Sequence, residues 1–337
     1  MNLQTAFTRQ VGIEVPLICG AMYPCSNAAL IAAVSEAGGI GIVQPISLTY
    51  VHGHELRAGL REIRARTARP IGFNAIVERS SRIYQDRMRR WVDVAIEEGV
   101  RFFVTALGNP RWVVDRVRAV NGVVYHDVTD RRWALKALEQ RVDGLICVNR
   151  RAGGHTGTRD GRELFEELHD LGVPLICAGG IGDETTFAEA IRLGYAGAQL
   201  GTRFIASHEC TAHDDYKRAI VEARAEQIVL TDKLSGVPCS VIRTPYVDRV
   251  GTRSGRLARW LLRGRRTKHL MRTIYALHSL RRLKHASLRG LSYRDIWQAG
   301  KSVETIDRIE PAGEIVRRFR DAIGRADRQP AAAIEPR

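Results

Sequence analysis

Short apolar runs bounded by glycine, proline or charge recur along the first two thirds of the chain, and each is followed by a stretch with helical periodicity. Residues 16–20 (PLICG), 39–44 (GIGIVQ), 71–77 (IGFNAIV) and 102–107 (FFVTAL) form the first four runs, and 122–128 (GVVYHDV), 144–149 (GLICVN), 174–179 (PLICAG) and 197–204 (GAQLGTRF) the next four. They are near-continuous rather than alternating, as strands buried on both faces should be. Between the first two, Leu30, Ile31, Val34 and Ala37 are spaced three and four apart and stop at Gly38 and Gly39, the pattern of an amphipathic helix with a C-terminal stop. Residues 87–99 and 184–194 repeat that pattern. Eight β-then-α units in about 210 residues predict a (β/α)8 barrel. An open doubly wound sheet fits less well, because no G-x-G-x-x-G follows the first run and the repeat continues past six.

Composition narrows the class. The chain has 337 residues, 45% of them hydrophobic and 26% charged, which excludes disorder as its main state. No apolar run approaches the ~18 to 20 residues needed to cross a bilayer, and the N-terminus has no readable signal peptide, so the expected location is cytoplasmic. Six cysteines are scattered without C-x-x-C spacing, which argues against a structural zinc or a disulfide framework. Cys19, Cys147 and Cys177 sit inside apolar runs and are expected to pack as small hydrophobes. His52 and His54 lack a third partner at ligand spacing, and no metal site is expected.

The net charge of +15 is concentrated in one place. Between Arg249 and Arg294 there are fourteen lysines and arginines and no aspartate or glutamate, so the rest of the chain is close to neutral. This is the pattern of an enzyme-like body carrying one basic segment, not of a uniformly basic nucleic-acid binder.

In a (β/α)8 barrel the chemistry sits at the C-terminal ends of the strands, with phosphate groups held by the loops after strands seven and eight. Gly179 and Gly180 follow the seventh run, and Gly201 and Thr202 lie in the eighth. Backbone N–H groups there could converge on a phosphate, or the glycines could serve turn geometry alone. Beyond the sixth run, RRAGGHTGTRDG places His155 among glycines, where an imidazole near its ordinary pKa of about 6.5 can exchange a proton. A surface-loop histidine without a role is the plainer alternative. Asp127 ends the fifth run, either as a charge at the barrel mouth or as a helix N-cap.

Taken together, PLICGAMYPCSNAALIAAVSEAGGIG, FNAIV, AGGHTG and PLICAGGIGDETTFAEAIRLGYAGAQLGTRFIASHE resemble the nitronate monooxygenase (2-nitropropane dioxygenase) family, whose relatives include FMN-dependent enoyl-acyl-carrier-protein reductases and NADH:quinone reductases. The likeness runs through most of residues 10–245 and resumes at WQAGKSVETIDRIEPAGEIVRRFRDA. It implies a bound FMN, with Met22 bordering the flavin ring, Asn74 hydrogen-bonded to it and Gly153 against it. By the same resemblance Gly179, Gly180, Gln199, Gly201 and Thr202 hold the ribityl phosphate end, and His155 is the catalytic base for neutral nitroalkanes or a substrate-facing group in the reductases. Where the family often carries Gln, Gly and Glu before AGGH, this chain has Val148, Asn149 and Arg151, so one usual polar flavin contact is missing and the loop gains positive charge.

The resemblance also implies the domain plan. An FMN-binding barrel is expected over 1–208, a mostly helical inserted domain covering the flavin over 209–291, a helical segment returning to the barrel over 292–325, and a flexible tail over 326–337. Leu270, Ile274, Leu277, Leu280 and Leu283 recur at helical spacing among arginines and lysines, predicting amphipathic helices. The basic stretch over 253–289 is either a solvated face or a means of attracting an anionic substrate, an acidic protein or an anionic membrane; nucleic acid is the weakest partner. The expected activity is FMN-dependent oxidation of alkyl nitronates with O2, with an NAD(P)H-dependent reductase of an enoyl thioester or quinone as the alternative.

Overall fold

The computed structural model describes residues 3–78, 82–233, 237–253, 284, 288 and 296–326. Eight parallel strands close into a barrel in the order β1-β2-β3-β4-β5-β6-β8-β9. They are β1 (Leu17–Cys19), β2 (Ile40–Val43), β3 (Gly72–Ile76), β4 (Phe102–Ala106), β5 (Val123–Val128), β6 (Gly144–Val148), β8 (Leu175–Ala178) and β9 (Gly197–Leu200). Closure is made by β1 against β9, with Ile18 opposite Gln199. Each apolar run therefore holds one barrel strand, and the inter-strand helices begin on side-chain caps: Asn27 caps Ala28–Glu36, Asp160 caps Gly161–Leu168 and Asp183 caps Glu184–Leu193. The eighth run is shorter as a strand than its apolar length suggested. It stops at Leu200, and Thr202–Ile205 is a turn of helix, because the chain bends at Gly201 toward the returning C-terminal segment.

The two faces of the strands bury different cores. Side chains pointing outward meet the helices in one large cluster that includes all of Cys19, Cys147 and Cys177. Burial pushes the Cys19 and Cys147 thiols well above their ordinary range and Cys177 up to about 12, so these three pack as inert hydrophobes. Inward-pointing Ile18, Ile42, Phe102, Val104, Tyr125 and Ile176 belong to a second cluster that fills the barrel. The short helix Ala6–Val11 closes the N-terminal end, inserting Phe7 against Phe102 and Tyr125 with ring centroids 5.6 and 5.5 Å away. Gly144 makes room for this plug, since a Cβ there would fall 2.3 Å from the Tyr125 ring.

After the barrel comes a helix, Asp214–Glu222, and then an antiparallel hairpin of β10 (Ile228–Thr231) and β11 (Cys239–Ile242). The hairpin pairs with β7 (Gly154–His155), so the loop after β6 and the insertion form one three-stranded sheet in the order β10-β11-β7. Residues 296–300 return beside it, with Trp297 stacked on Tyr216 and the Ile242 N–H donating to the Trp297 carbonyl at 2.8 Å. The C-terminal helix Ala312–Ala326 packs on Ala28–Glu36 and Glu184–Leu193. Most of the basic stretch, including the amphipathic pattern from Leu270 to Leu283, lies outside the described residues, as does the tail from 327. Among the described residues, no helix is long and apolar enough to cross a membrane.

Candidate active site at the barrel mouth

Alternation along the strands sorts the residues of the mouth. Tyr125 is part of the barrel filling, so Asp127, two residues nearer the C-terminal end, shares the inward face. By the same count from Gly72, whose missing side chain leaves room for Ile42 and Phe102, Asn74 points inward from β3. Gln199 does so from β9, and its Cγ lies 3.1 Å from where a Cβ of Gly20 would stand. The strands thus change from aliphatic and aromatic filling to amide and carboxylate groups on reaching their C-terminal ends.

Asp127 is not the cap of the following helix. Asp130 takes that role, accepting from the Trp133 N–H at 3.0 Å. Instead, Oδ1 of Asp127 is buried without a hydrogen-bond partner, and burial alone raises the carboxyl to about 7. Its neighbour His126 faces the other way, bonded through Nδ1 to Thr105 Oγ1 at 2.8 Å, and burial lowers it to about 4. Only Asp127 of the two therefore offers a titratable group to the mouth.

The glycine turns converge as the barrel geometry requires. Gly179 and Gly180 have φ values of 116° and 81°, the left-handed region that side chains avoid. A Cβ on Gly179 would lie 2.5 Å from the Ala152 nitrogen and 2.6 Å from Asn149 Oδ1. Asn149, buried at 1% exposure, fastens the loops to each other: its Nδ2 donates to the Gly179 carbonyl at 2.9 Å and its Oδ1 accepts from the Arg151 N–H at 2.8 Å. The loop after β6 therefore leans on the loop after β8. Gly153 lies against the returning segment, where a Cβ would meet the Gly300 nitrogen at 2.9 Å and Thr202 Oγ1 at 3.2 Å. The Thr202 hydroxyl itself accepts from the Gly300 N–H at 2.9 Å, which commits it to holding that segment. Met22 is close by, its Cγ and Sδ 3.6 Å from where a Cβ of Gly201 would be.

His155 follows two residues after Gly153 of this cluster. It is exposed, held in β7 opposite Cys239 of the insertion, so the sheet and not a loose glycine loop sets its place. Lys284, from the basic stretch, reaches the turn after β2: its Nζ donates to the Tyr50 carbonyl at 2.9 Å and lies 4.4 Å from the centroid of the Tyr50 ring. A groove of about 740 Å³ between Thr5, Phe165, His169 and Tyr195 lies at the opposite end of the barrel, and none of the site residues named above lines it. Asn149 and Gly300 had been given no part in the site by sequence reading. The first is only a polar residue at a strand end, and the second lies 98 positions from Thr202, to whose hydroxyl its N–H donates.

The model of the nitronate monooxygenase family matches residues 4–320. The chain belongs to this family. It is accordingly an oxidoreductase. Similar curated proteins are a (3aS,4S,5R,7aS)-5-hydroxy-7a-methyl-1-oxo-octahydro-1H-indene-4-carboxyl-CoA dehydrogenase of Mycobacterium tuberculosis, 32% identical over 74% of this chain and 69% of the relative, and a nitronate monooxygenase of Pseudomonas aeruginosa, 29% identical over 68% and 77%. Among solved structures, FabK from Thermotoga maritima aligns with a TM-score of 0.78 and 28% identity, covering 97% of this chain and 98% of that one.

Proposed function

We propose that the barrel mouth binds FMN and that the chain uses it to oxidise alkyl nitronates with O2. The observation that carries this reading is the meeting of the Gly179–Gly180, Gly153 and Gly201 turns beside inward Asn74, Gln199 and Asp127 at the C-terminal end of a closed barrel. The residues present fit the cofactor. The glycine turns form a cradle that side chains would fill, and the orphaned Asp127 Oδ1 calls for a polar partner at the mouth. Gly179, Gly180, Gln199, Gly201 and Thr202 would hold the ribityl phosphate end, Met22 and Gly153 would border the ring, and Asn74 would hydrogen-bond to it. When bound, FMN supplies the two-electron redox chemistry.

This chain's own side chains supply proton handling and order. His155, fixed by β7, takes the α-proton of a neutral nitroalkane on its imidazole, a step that a preformed nitronate does not need. Asp127 holds a proton near neutral pH inside the mouth, where a permanently ionised carboxylate would repel electron density arriving at the cofactor. Gly300 packs against Gly153 and closes that side of the site.

A second reading, oxidoreduction of an acyl thioester, is favoured by two observations. The M. tuberculosis relative is named for a carboxyl-CoA substrate, and Lys284 sets a cation on Tyr50 after β2, where it suits a polyanionic carrier. The deciding experiment is the visible spectrum of the purified protein, followed by separate anaerobic additions of an alkyl nitronate, NADH and NADPH. A yellow protein bleached by nitronate supports the first reading, and bleaching by a reduced nicotinamide moves the assignment to a reductase. A colourless protein that takes up no FMN overturns both. His155→Ala should lose activity on a neutral nitroalkane while keeping it on the nitronate; equal activity on both would remove the base role.

A further inference from the structure

The loop after β6 departs from the family pattern at Arg151, and the departure places a cation on the glycine turn after β8. We propose that Arg151 is a phosphate-binding residue, its guanidinium serving as the counter-charge for the terminal phosphate of FMN. The inference rests on the FMN reading above and goes beyond it by assigning a role to a side chain that no motif marks.

The backbone of Arg151 is held on two sides. Its N–H is bonded to Asn149 Oδ1, and its carbonyl accepts from the Lys301 N–H at 2.8 Å. From this anchored backbone the side chain runs across Gly180. A Cβ on Gly180 would meet Arg151 Nε at 2.8 Å, Cδ at 2.9 Å and Cβ at 3.2 Å, so the stem and the start of the guanidinium lie along that residue. Glycine at 180 is thus required twice, by its φ of 81° and by the arginine passing over it.

The charge of Arg151 is the second observation. Its neighbours are already neutralised: Arg150 pairs with Asp160 at 3.4 Å and Arg159 with Glu167 at 2.7 Å. Among the described residues no carboxylate lies within ion-pair distance of Arg151, although the side chain is half-buried. A half-buried guanidinium with no carboxylate beside it among the described residues, laid across the glycine turn after β8, is completed by a dianionic phosphate. Its planar donors match phosphate oxygens in pairs, which an ammonium cannot do.

The test compares FMN with riboflavin, which has the same ring and no phosphate. Dissociation constants of both are measured by flavin fluorescence quenching on wild type, Arg151→Met and Arg151→Lys, with thermal melts of the apoproteins as a folding control. Arg151→Met keeps the stem that packs on Gly180 and should weaken FMN by about 10- to 100-fold, the range for hydrogen bonds to a charged group, while riboflavin affinity stays unchanged. Arg151→Lys should recover part of the loss, and the wild-type preference for FMN should fall as salt rises. An equal loss for both flavins would make Arg151 a structural residue and overturn the assignment, as would an unchanged FMN constant. A wild-type chain that binds neither flavin would instead overturn the FMN reading and the arginine's role with it.

Discussion

Tyr125 and Asp127 are two residues apart on β5 and point to the same side of it, yet they belong to opposite regimes. At the closed end Tyr125 is fully buried against Phe7 and Phe102, and its hydroxyl is satisfied by Gln10 Oε1 at 2.7 Å. At the open end the Asp127 carboxyl is left with a buried oxygen that bonds to nothing. One strand therefore spends its lower half on packing and its upper half on chemistry. A buried polar oxygen without a partner among the described residues, at the open end of a barrel, is a place where a ligand group can bond.

The largest expected effect falls on the floor. Tyr125→Ala should cost about 4 kcal/mol, because it opens a cavity beneath two aromatic rings that the surrounding strands cannot refill. At temperatures where the variant stays folded, its flavin affinity should equal that of wild type. A selective loss of flavin affinity there would erase the distinction between the two ends. Next comes Gly179→Ala at the mouth, where the φ of 116° and the 2.5 Å approach to Ala152 make any side chain strained. About 2 to 3 kcal/mol of destabilisation is expected, together with a fall of at least roughly tenfold in flavin retention, read by denaturant melts and by the protein-bound absorbance after gel filtration.

Asp127→Asn should act in the opposite direction and depend on pH. The folded carboxyl titrates near 7 and the unfolded one near 3.8, so between these values the folded state holds a proton that the unfolded state has lost. Wild-type stability therefore falls as pH rises through this window, and the neutral asparagine escapes that loss. Over the roughly 3 pH units between the two values, at about 1.4 kcal/mol each, the variant should become more stable than wild type by about 4 kcal/mol at pH 8 while nearly equal to it at pH 4. A difference that is the same at both pH values would mean that the carboxyl is solvated. Smallest of all, Lys284→Ala removes one exposed cation–π contact and one hydrogen bond, worth less than about 1 kcal/mol of stability. Its informative readout is a salt-sensitive rise in KM for a thioester and no change for a nitronate.

The eight-strand repeat could be read along the chain because each barrel strand is buried on both faces and is apolar over most of its length. The read length failed at residues 197–204 for a related reason: Phe204 and Ile205 are apolar because they pack in the helix that follows β9, and burial looks the same in sequence whichever element provides it. Gly179 and Gly180 could be found because a positive φ excludes other residues. Asn149 could not be placed in the same way. Its position before AGGH suggests only a lost flavin contact, whereas its two hydrogen bonds join loops that are 30 positions apart.

What the sequence determined by itself is whatever depends on local pattern: strand number, helix order, the glycine turns, the buried thiols and the family. The tertiary structure alone decided which groups meet. Closure of the barrel turned Asp127 inward and left its oxygen without a partner, while the neighbouring position sent His126 into the outer core. It brought Gly300 onto Gly153, paired His155 with Cys239 and laid Arg151 across Gly180. These are contacts between distant segments. They are fixed by strand register and by the packing of the returning chain, which no local spacing encodes.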